Sequence, residues 1–215
     1  MKAIRIDPRL IKPTQNSNRD YWNIDNQINY PDANIIQFTY RNYSPEKRTR
    51  TRVLDLGCGS GINTAFFARE GFKVTGVDIS EVAIADTLER LSQEELSFEK
   101  LHCTSLSKIN FNSASFDLVV SVGVFDYSGF EETKKTIRQV YDILKVGGKG
   151  MFSFASNLDS RTDILKHLNF YGFSDAEVRD IFSFFPWKHC YYDRYITTFQ
   201  NNTTQQNNFL ITVEK

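Results

Sequence analysis

No stretch of the chain approaches the ~18 consecutive apolar residues that a membrane span requires. Its opening, MKAIRIDPRLIKP, has no apolar run of the kind that marks a signal peptide. These two absences point to a cytoplasmic protein without a membrane partner. Cysteine is scarce: Cys58, Cys103 and Cys190 are odd in number, far apart and never in a CxxC pair. That argues against a disulfide framework and for a reducing compartment. The dipeptide HC occurs at 102–103 and 189–190, but neither copy has metal-ligand spacing, so no metal site is expected. An excess of one charge is also missing, since 26 Lys and Arg face 26 Asp and Glu. Nucleic acids and anionic membranes call for a basic field, which this balance does not supply. The local basic run EKRTRTR (46–52) reads as a solvated connector. No internal repeat is present.

What is present is an alternation of strand and helix over 215 residues, enough for one full-sized core. RVLDLG (52–57) is a short apolar run ending in glycine and reads as a buried strand. INTAFFAREG (62–71) is a helix closed by Gly71, and KVTGVD (73–78) a second strand. Ser80 caps an amphipathic helix over 80–96. Strands follow at 98–104 and 116–123, then a helix at 131–146 stopped by Gly147-Gly148, then a strand at 150–156. This order predicts a parallel sheet with helices on both faces. A capping box, Ser174 and Glu177, opens a helix over 174–185 that Pro186 ends. Two strands, 187–199 and 209–215, flank the polar tract QNNTTQQNN, which reads as an exposed, mobile, non-catalytic hairpin loop. Residues 19–43 are crowded with aromatics, with Pro31 and Asp32 in the first turn of a helix that carries Ile35, Ile36, Thr39, Tyr40 and Tyr43.

The segment TRVLDLGCGSGINTAFF (51–67) carries the chemistry. Gly57, Gly59 and Gly61 crowd the turn between a strand and a helix, where backbone N–H groups at the helix N-terminus cradle a ligand. Asp78 ends the next strand, 78 − 57 = 21 residues past the first glycine, where a carboxylate meets the two hydroxyls of a ribose. A 2′-phosphate would be repelled there. The loop is GxGxG, with Ile62 where a dinucleotide fingerprint has Gly or Ala, and Asp55 stands two residues before Gly57. A carboxylate at Asp55 is ill-placed beside a pyrophosphate but suits a cationic ligand, such as an ammonium, directly or through water.

VLDLGCGSG (53–61) resembles the first motif of the class I S-adenosylmethionine-dependent methyltransferases, and VTGVDIS (74–80) resembles their second. SFDLVVSVGVFDY (115–127) and LKVGGKGMFSF (144–154) are similar to the family's fourth- and fifth-strand segments. The resemblance covers roughly residues 50–156 and implies a Rossmann-like, doubly wound α/β sheet, seven-stranded and mostly parallel, with the last strand antiparallel. It divides the chain into an N-terminal helical and aromatic extension (1–50) and a cofactor-binding domain (51–215). It implies S-adenosylmethionine as cofactor and S-adenosylhomocysteine as product. Gly57, Cys58, Gly59 and Gly61 then lie under the methionine part, Asp55 near its amino group, Asp78 on the ribose and Ile79 on the adenine. Ser105 stands where many relatives have an acid near the adenine amino group, with the backbone of Leu106 as an alternative. Val122 and Phe125 fall near the methionine and the adenine edge. Cys58 by itself reads as a small filler of the loop.

The acceptor side is less defined. In-line methyl transfer to O or N depends mainly on placing the nucleophile about 3 Å from the methyl group. Where the acceptor needs deprotonation, Asp126 and Tyr127, and then His189, are the candidate bases. His189, Tyr191, Tyr192, Asp193 and Tyr195 alternate along one strand, so some of them face the site. Tyr21, Trp22 and Tyr30 serve either as packing or as an aromatic lid over a sulfonium. The Asn/Asp-Pro-Pro-Tyr/Phe signature of amino-methylating relatives is replaced by VGVFDY, and the charge balance disfavours nucleic acid. The expected partner is a small-molecule acceptor, with the protein a monomer or homodimer. Two rival readings remain: a nicotinamide-dependent oxidoreductase, and a non-catalytic cofactor-binding subunit.

Overall fold

The computed structural model describes residues 30–199 and 204–215. Tyr21, Trp22 and the expected flexible extreme N-terminus lie outside the described residues. Asp32 caps α1 (Ala33–Asn42), its carboxylate accepting from the N–H groups of Asn34 and Ile35 at 2.7 and 3.4 Å. Pro31 and Asp32 therefore precede the helix and do not form its first turn. A single turn, α2 (Pro45–Arg48), follows. The basic run is not wholly solvated, because Arg48 is buried. Its guanidinium donates to the Tyr43 carbonyl at 3.0 Å, pairs with Glu70 and lies 4.5 Å from the Tyr40 ring centroid. A planar fork with every side occupied tolerates burial.

The chain then runs β1 (Arg52–Leu56), α3 (Ile62–Arg69), β2 (Lys73–Asp78), α4 (Glu81–Gln93), β3 (Lys100–Cys103), β4 (Phe116–Val122), α5 (Gly129–Ile143), β5 (Leu144–Ala155), α6 (Arg161–Ile164), α7 (Asp175–Ser183), β6 (His189–Phe199) and β7 (Thr204–Glu214). The seven strands form one sheet in the order β3-β2-β1-β4-β5-β7-β6. The first five in that order are parallel, and β7 runs antiparallel to both β5 and β6. The order reverses at β1 and β4, which is where an open α/β sheet forms its ligand crevice.

The apolar run of β1 reflects burial on both faces. On one face Val53, Val74, Leu118 and Met151 pack under Ile35 of α1 and Phe66 and Phe67 of α3. On the other, Leu54, Leu56, Val119 and Phe152 pack under Ile137 and Val140 of α5 and Ile181 and Phe182 of α7. Ser80 caps α4 and the Ser174–Glu177 box opens α7, as their spacing predicts.

Two boundaries depart from the sequence reading. The helix before β5 ends at Ile143, and Gly147-Gly148 do not stop it; they lie inside β5. Phe116 pairs with Leu144 but Leu118 pairs with Lys149, so β5 bulges there, with Gly147 at a φ of 76°. Secondly, β7 begins at Thr204, so Gln205 to Asn208 are strand and not hairpin loop. Asn207 and Asn208 are buried because the buried Asp159 and the half-buried Arg161, which follow β5, bind them. The backbone N–H of Asn207 donates to Asp159 at 2.7 Å, and the Asn208 side chain accepts from Arg161 at 2.7 Å.

Candidate cofactor and acceptor site

The crevice opens at the carboxyl ends of β1, β2 and β4. Two of the three loop glycines answer to the protein's own packing. A Cβ on Gly57, which has a φ of 74°, would lie 2.3 Å from a methyl of Val124 in the turn after β4. A Cβ on Gly61, the residue before α3, would lie 2.9 Å from the Thr87 backbone. The third helix of this face grips the loop from behind: Thr87 donates to the Gly59 carbonyl at 2.7 Å and Arg90 to the Ser60 carbonyl at 2.9 Å. Cys58 is buried in this grip, with its sulfur 3.8 Å from the Thr87 hydroxyl, and burial pushes its thiol pKa up. A thiol held neutral in this way is a filler, not a nucleophile.

Asp78 stands at the end of β2 with one oxygen accepting from the Gly59 N–H and the other from the Ser80 N–H, both at 2.9 Å. These bonds fix the carboxylate plane, and each oxygen keeps a lone pair for a diol hydroxyl. Ile79 beside it is 73% exposed. A large apolar side chain bared next to a fixed carboxylate suits the base and ribose of a nucleoside. Cys103 at the end of β3 adds a wall on this side, its thiol 3.5 Å from the Ile79 carbonyl. Ser105 hydrogen-bonds Ser107 at 2.9 Å, and the Leu106 side chain turns into the core. The Ser105 hydroxyl, which keeps acceptor capacity, and the backbone at Leu106 are left for a ligand there.

Asp55 lies behind the glycine loop. It is buried on β1 and accepts from the Thr64 hydroxyl at 2.6 Å, so it ties the first turn of α3 to the strand. Burial raises its pKa to about 6, against the pull of Thr64, and the charge of Asp78 adds to the rise. Its direct contribution is to hold the loop and to place negative potential behind it, which favours a cation over a phosphate.

On the acceptor side, Val122 ends β4 half-buried at the crevice. Phe125 does not reach a ligand edge: it is fully buried, stacked on Phe154 at 5.3 Å. Asp126 is not at a cleft mouth either. It is 2% exposed and accepts from the Ala155 N–H at 2.7 Å. Burial pushes its pKa up to about 7, opposed by the Ala155 bond and by Arg161, with Asp159 adding to the rise. Tyr127 is partly exposed, with its ring edge-on to Phe170 at 5.5 Å. Tyr30 is 80% exposed just before Asp32, whose N–H reaches the Asn63 side chain in the first turn of α3 at 3.3 Å. The start of α1 thus borders the glycine loop.

His189 is at the wrong end of the sheet. It pairs in register with Glu214, and Glu214 with Lys149 at the amino end of the β5 ladder, opposite the crevice. Along the same face of β6, Tyr195 is the residue that reaches the carboxyl end, with its hydroxyl 3.2 Å from the Ser153 hydroxyl. Period-two alternation in β6 narrowed the face but could not choose the end. The Asp159–Arg161 pair beside it, with Asp159 fully buried, carried no motif.

A family model described as a methyltransferase domain matches residues 53–148. The match covers just under half of the chain, and it supports the resemblance to the class I S-adenosylmethionine-dependent methyltransferases over that segment. Solved methyltransferases of the same fold hold S-adenosylhomocysteine or S-adenosylmethionine. The chain is 32% identical over 139 residues to a Geobacillus sp. (strain WCH70) protein described as a methyltransferase, covering 63% of this chain and 54% of that one. It is 30% identical over 139 residues to the 18S rRNA (guanine(1575)-N(7))-methyltransferase of Saccharomyces cerevisiae, covering 60% and 49%. Its fold matches Haemonchus contortus phosphoethanolamine N-methyltransferase 2, solved with phosphomonomethylethanolamine and S-adenosylhomocysteine. The TM-score is 0.69 at 18% identity over 85% of this chain and 52% of that one. The chain spans about half the length of these methyltransferases. Among the described residues, no helix is long and apolar enough to cross a membrane.

Proposed function

We propose that this methyltransferase chain binds S-adenosylmethionine in the crevice and transfers its methyl group in line to an oxygen or nitrogen of a small-molecule acceptor. The observation that carries the reading is Asp78, held by the Gly59 and Ser80 N–H groups beside exposed Ile79. In this reading Asp78 receives the ribose hydroxyls, Ile79 covers one face of the adenine, and the loop from Gly57 to Gly61 lies under the methionine part. Asp55 acts through Thr64 to fix that loop. When bound, the cofactor supplies a methyl carbon activated by positive sulfur, so the protein need only orient the acceptor and exclude water. The acceptor's lone pair forms the new bond to carbon, the carbon–sulfur bond breaks, and its electron pair stays on sulfur. Any acceptor proton passes to solvent or to a nearby base.

In this reading Tyr127 and Tyr195 flank the acceptor side, and Tyr30 sits where a lid would begin. The balanced charge of the chain favours a small molecule over nucleic acid. Calorimetric titration with S-adenosylmethionine and S-adenosylhomocysteine tests the reading. Micromolar binding is expected, weakened about tenfold or more in Asp78→Ala, the loss of a charge-assisted diol contact. Binding unchanged in Asp78→Ala, or binding of NAD in place of both ligands, would overturn it.

A further inference from the structure

The ribose of S-adenosylmethionine carries the methionine part on one side and the adenine on the other. The carboxyl end of the sheet offers stations in the same order. β1 runs into the glycine loop, β2 ends in Asp78, and β3 lies on the far side of β2 from β1. With the methionine part on the loop and the ribose on Asp78, the base is carried toward the segment that follows β3. The register fixes where that segment starts. Asp78 pairs with Cys103, and the Thr104 N–H donates to the Asp78 carbonyl at 2.8 Å. Adjacent strands lie about 4.8 Å apart. The residues just past Cys103 therefore border the outer edge of a base that lies on exposed Ile79.

The side chains that follow Cys103 are uncharged hydroxyls. Ser105 and Ser107 are half-buried, and their hydroxyls meet at 2.9 Å. Leu106 between them packs against the core, and Gln139 of α5 donates to the Ser107 carbonyl at 3.1 Å, so the turn that presents the hydroxyls is fixed. The Cys103 thiol stays neutral, because burial and then the charges of Glu81 and Asp78 raise its pKa. Asp78 is taken by the ribose in this reading, and Glu81 is exposed in the first turn of α4.

A hydroxyl both donates and accepts, and either member of this pair can be the donor. When Ser107 donates to Ser105, the Ser105 proton is left for the ligand. When Ser105 donates to Ser107, the Ser105 lone pair is left. The bond within the pair survives the reversal, so the edge presents either polarity at little cost. Adenine offers an amino donor beside a ring-nitrogen acceptor. Hypoxanthine offers the inverse, a carbonyl acceptor beside a ring N–H donor, and the reversed pair matches it. A carboxylate has no such choice, since it accepts from an amino group and repels a carbonyl oxygen.

We propose that the Ser105–Ser107 pair reads the outer edge of the donor's base and makes the site indifferent to amino or carbonyl there. The inference rests on the methyl-transfer reading above. The ligand class it adds is the S-inosyl counterpart of the methyl donor and of its product.

The test is calorimetric titration of the full chain with S-adenosylhomocysteine and with S-inosylhomocysteine. The wild-type chain is expected to bind the two within about threefold of each other. Ser105→Asp sets a fixed acceptor at the edge and is expected to favour the adenosyl compound by about tenfold or more. Ser105→Ala combined with Ser107→Ala is expected to weaken both compounds alike, by about threefold to tenfold. Glu81→Gln is expected to change either affinity by less than about twofold. A larger wild-type preference for either compound overturns the proposal, and its loss in Glu81→Gln identifies that carboxylate as the reader. Equal binding that the double alanine variant leaves undiminished removes the pair from the site, as does a Ser105→Asp variant that still binds both alike. Failure of both compounds to bind the wild-type chain overturns the methyl-transfer reading instead.

Discussion

The half of the sheet from β3 to β4 and the half from β5 to β6 reach the same crevice by different means. In the first, the groups that shape the site are close in sequence. Thr64 reaches Asp55 over 9 residues, and Gly59 reaches Asp78 over 19. Backbone turns do most of the positioning, and glycine makes those turns compatible with Val124 and Thr87. In the second, the groups come from distant strands and turns. Ser153 meets Tyr195 over 42 residues, Arg161 meets Asn208 over 47, and Asp159 meets Asn207 over 48. Side chains, some charged and buried, do the positioning. In the function proposed above, the first half holds the cofactor and the second faces the acceptor.

Breaking the buried pair of the second half should have the largest effect. Asp159→Ala removes the partner of Arg161 and of the Asn207 N–H, and is expected to cost about 3–5 kcal/mol in urea unfolding. The Gln205–Asn208 end of β7 should lose hydrogen-exchange protection before the rest of the sheet.

Two buried carboxylates have raised pKa values, about 6 for Asp55 on β1 and about 7 for Asp126, which follows β4 and binds the Ala155 N–H of β5. A carboxyl whose folded pKa lies above its unfolded value near 4 binds more protons when folded, so its burial costs stability increasingly as pH rises from about 4 to the folded pKa. Asp126→Asn keeps an acceptor for the Ala155 N–H and loses the charge. It is expected to raise stability by roughly 2–4 kcal/mol at pH 8 and by little at pH 4. Asp55→Asn should show the same sign with a smaller gain. Denaturation at both pH values measures the comparison, and equal gains at the two would show that charge is not the cause.

Gly57→Ala attacks the first half at its tightest point. Its φ of 74° and the collision with Val124 predict a loss of about 2–3 kcal/mol. Val124→Ala should restore part of that loss if Val124 is what excludes the Cβ. The smallest effect is expected at His189. Its exposure at the opposite end of the sheet predicts less than about a twofold change in methyl transfer for His189→Ala, measured in a turnover assay.

The amino-acid sequence by itself determined the alternating strands and helices, the glycine turn and the pairing of that turn with Asp78. All of these are short-range: apolar runs and caps act within a few residues, and the glycines and the strand-end acid occupy fixed places along a strand–turn–helix–strand path. The tertiary structure alone decided what each polar group faces. It tied Asp55 to α3, buried Phe125 and Asp126, and drew Gln205 to Asn208 into β7. It also sent His189 and Tyr195 to opposite ends of one strand. Those outcomes depend on register, on the bulge in β5 and on partners more than 40 residues away such as Asn207 and Asn208 for the Asp159–Arg161 pair. Strand alternation specifies a face, but only pairing across the sheet specifies an end.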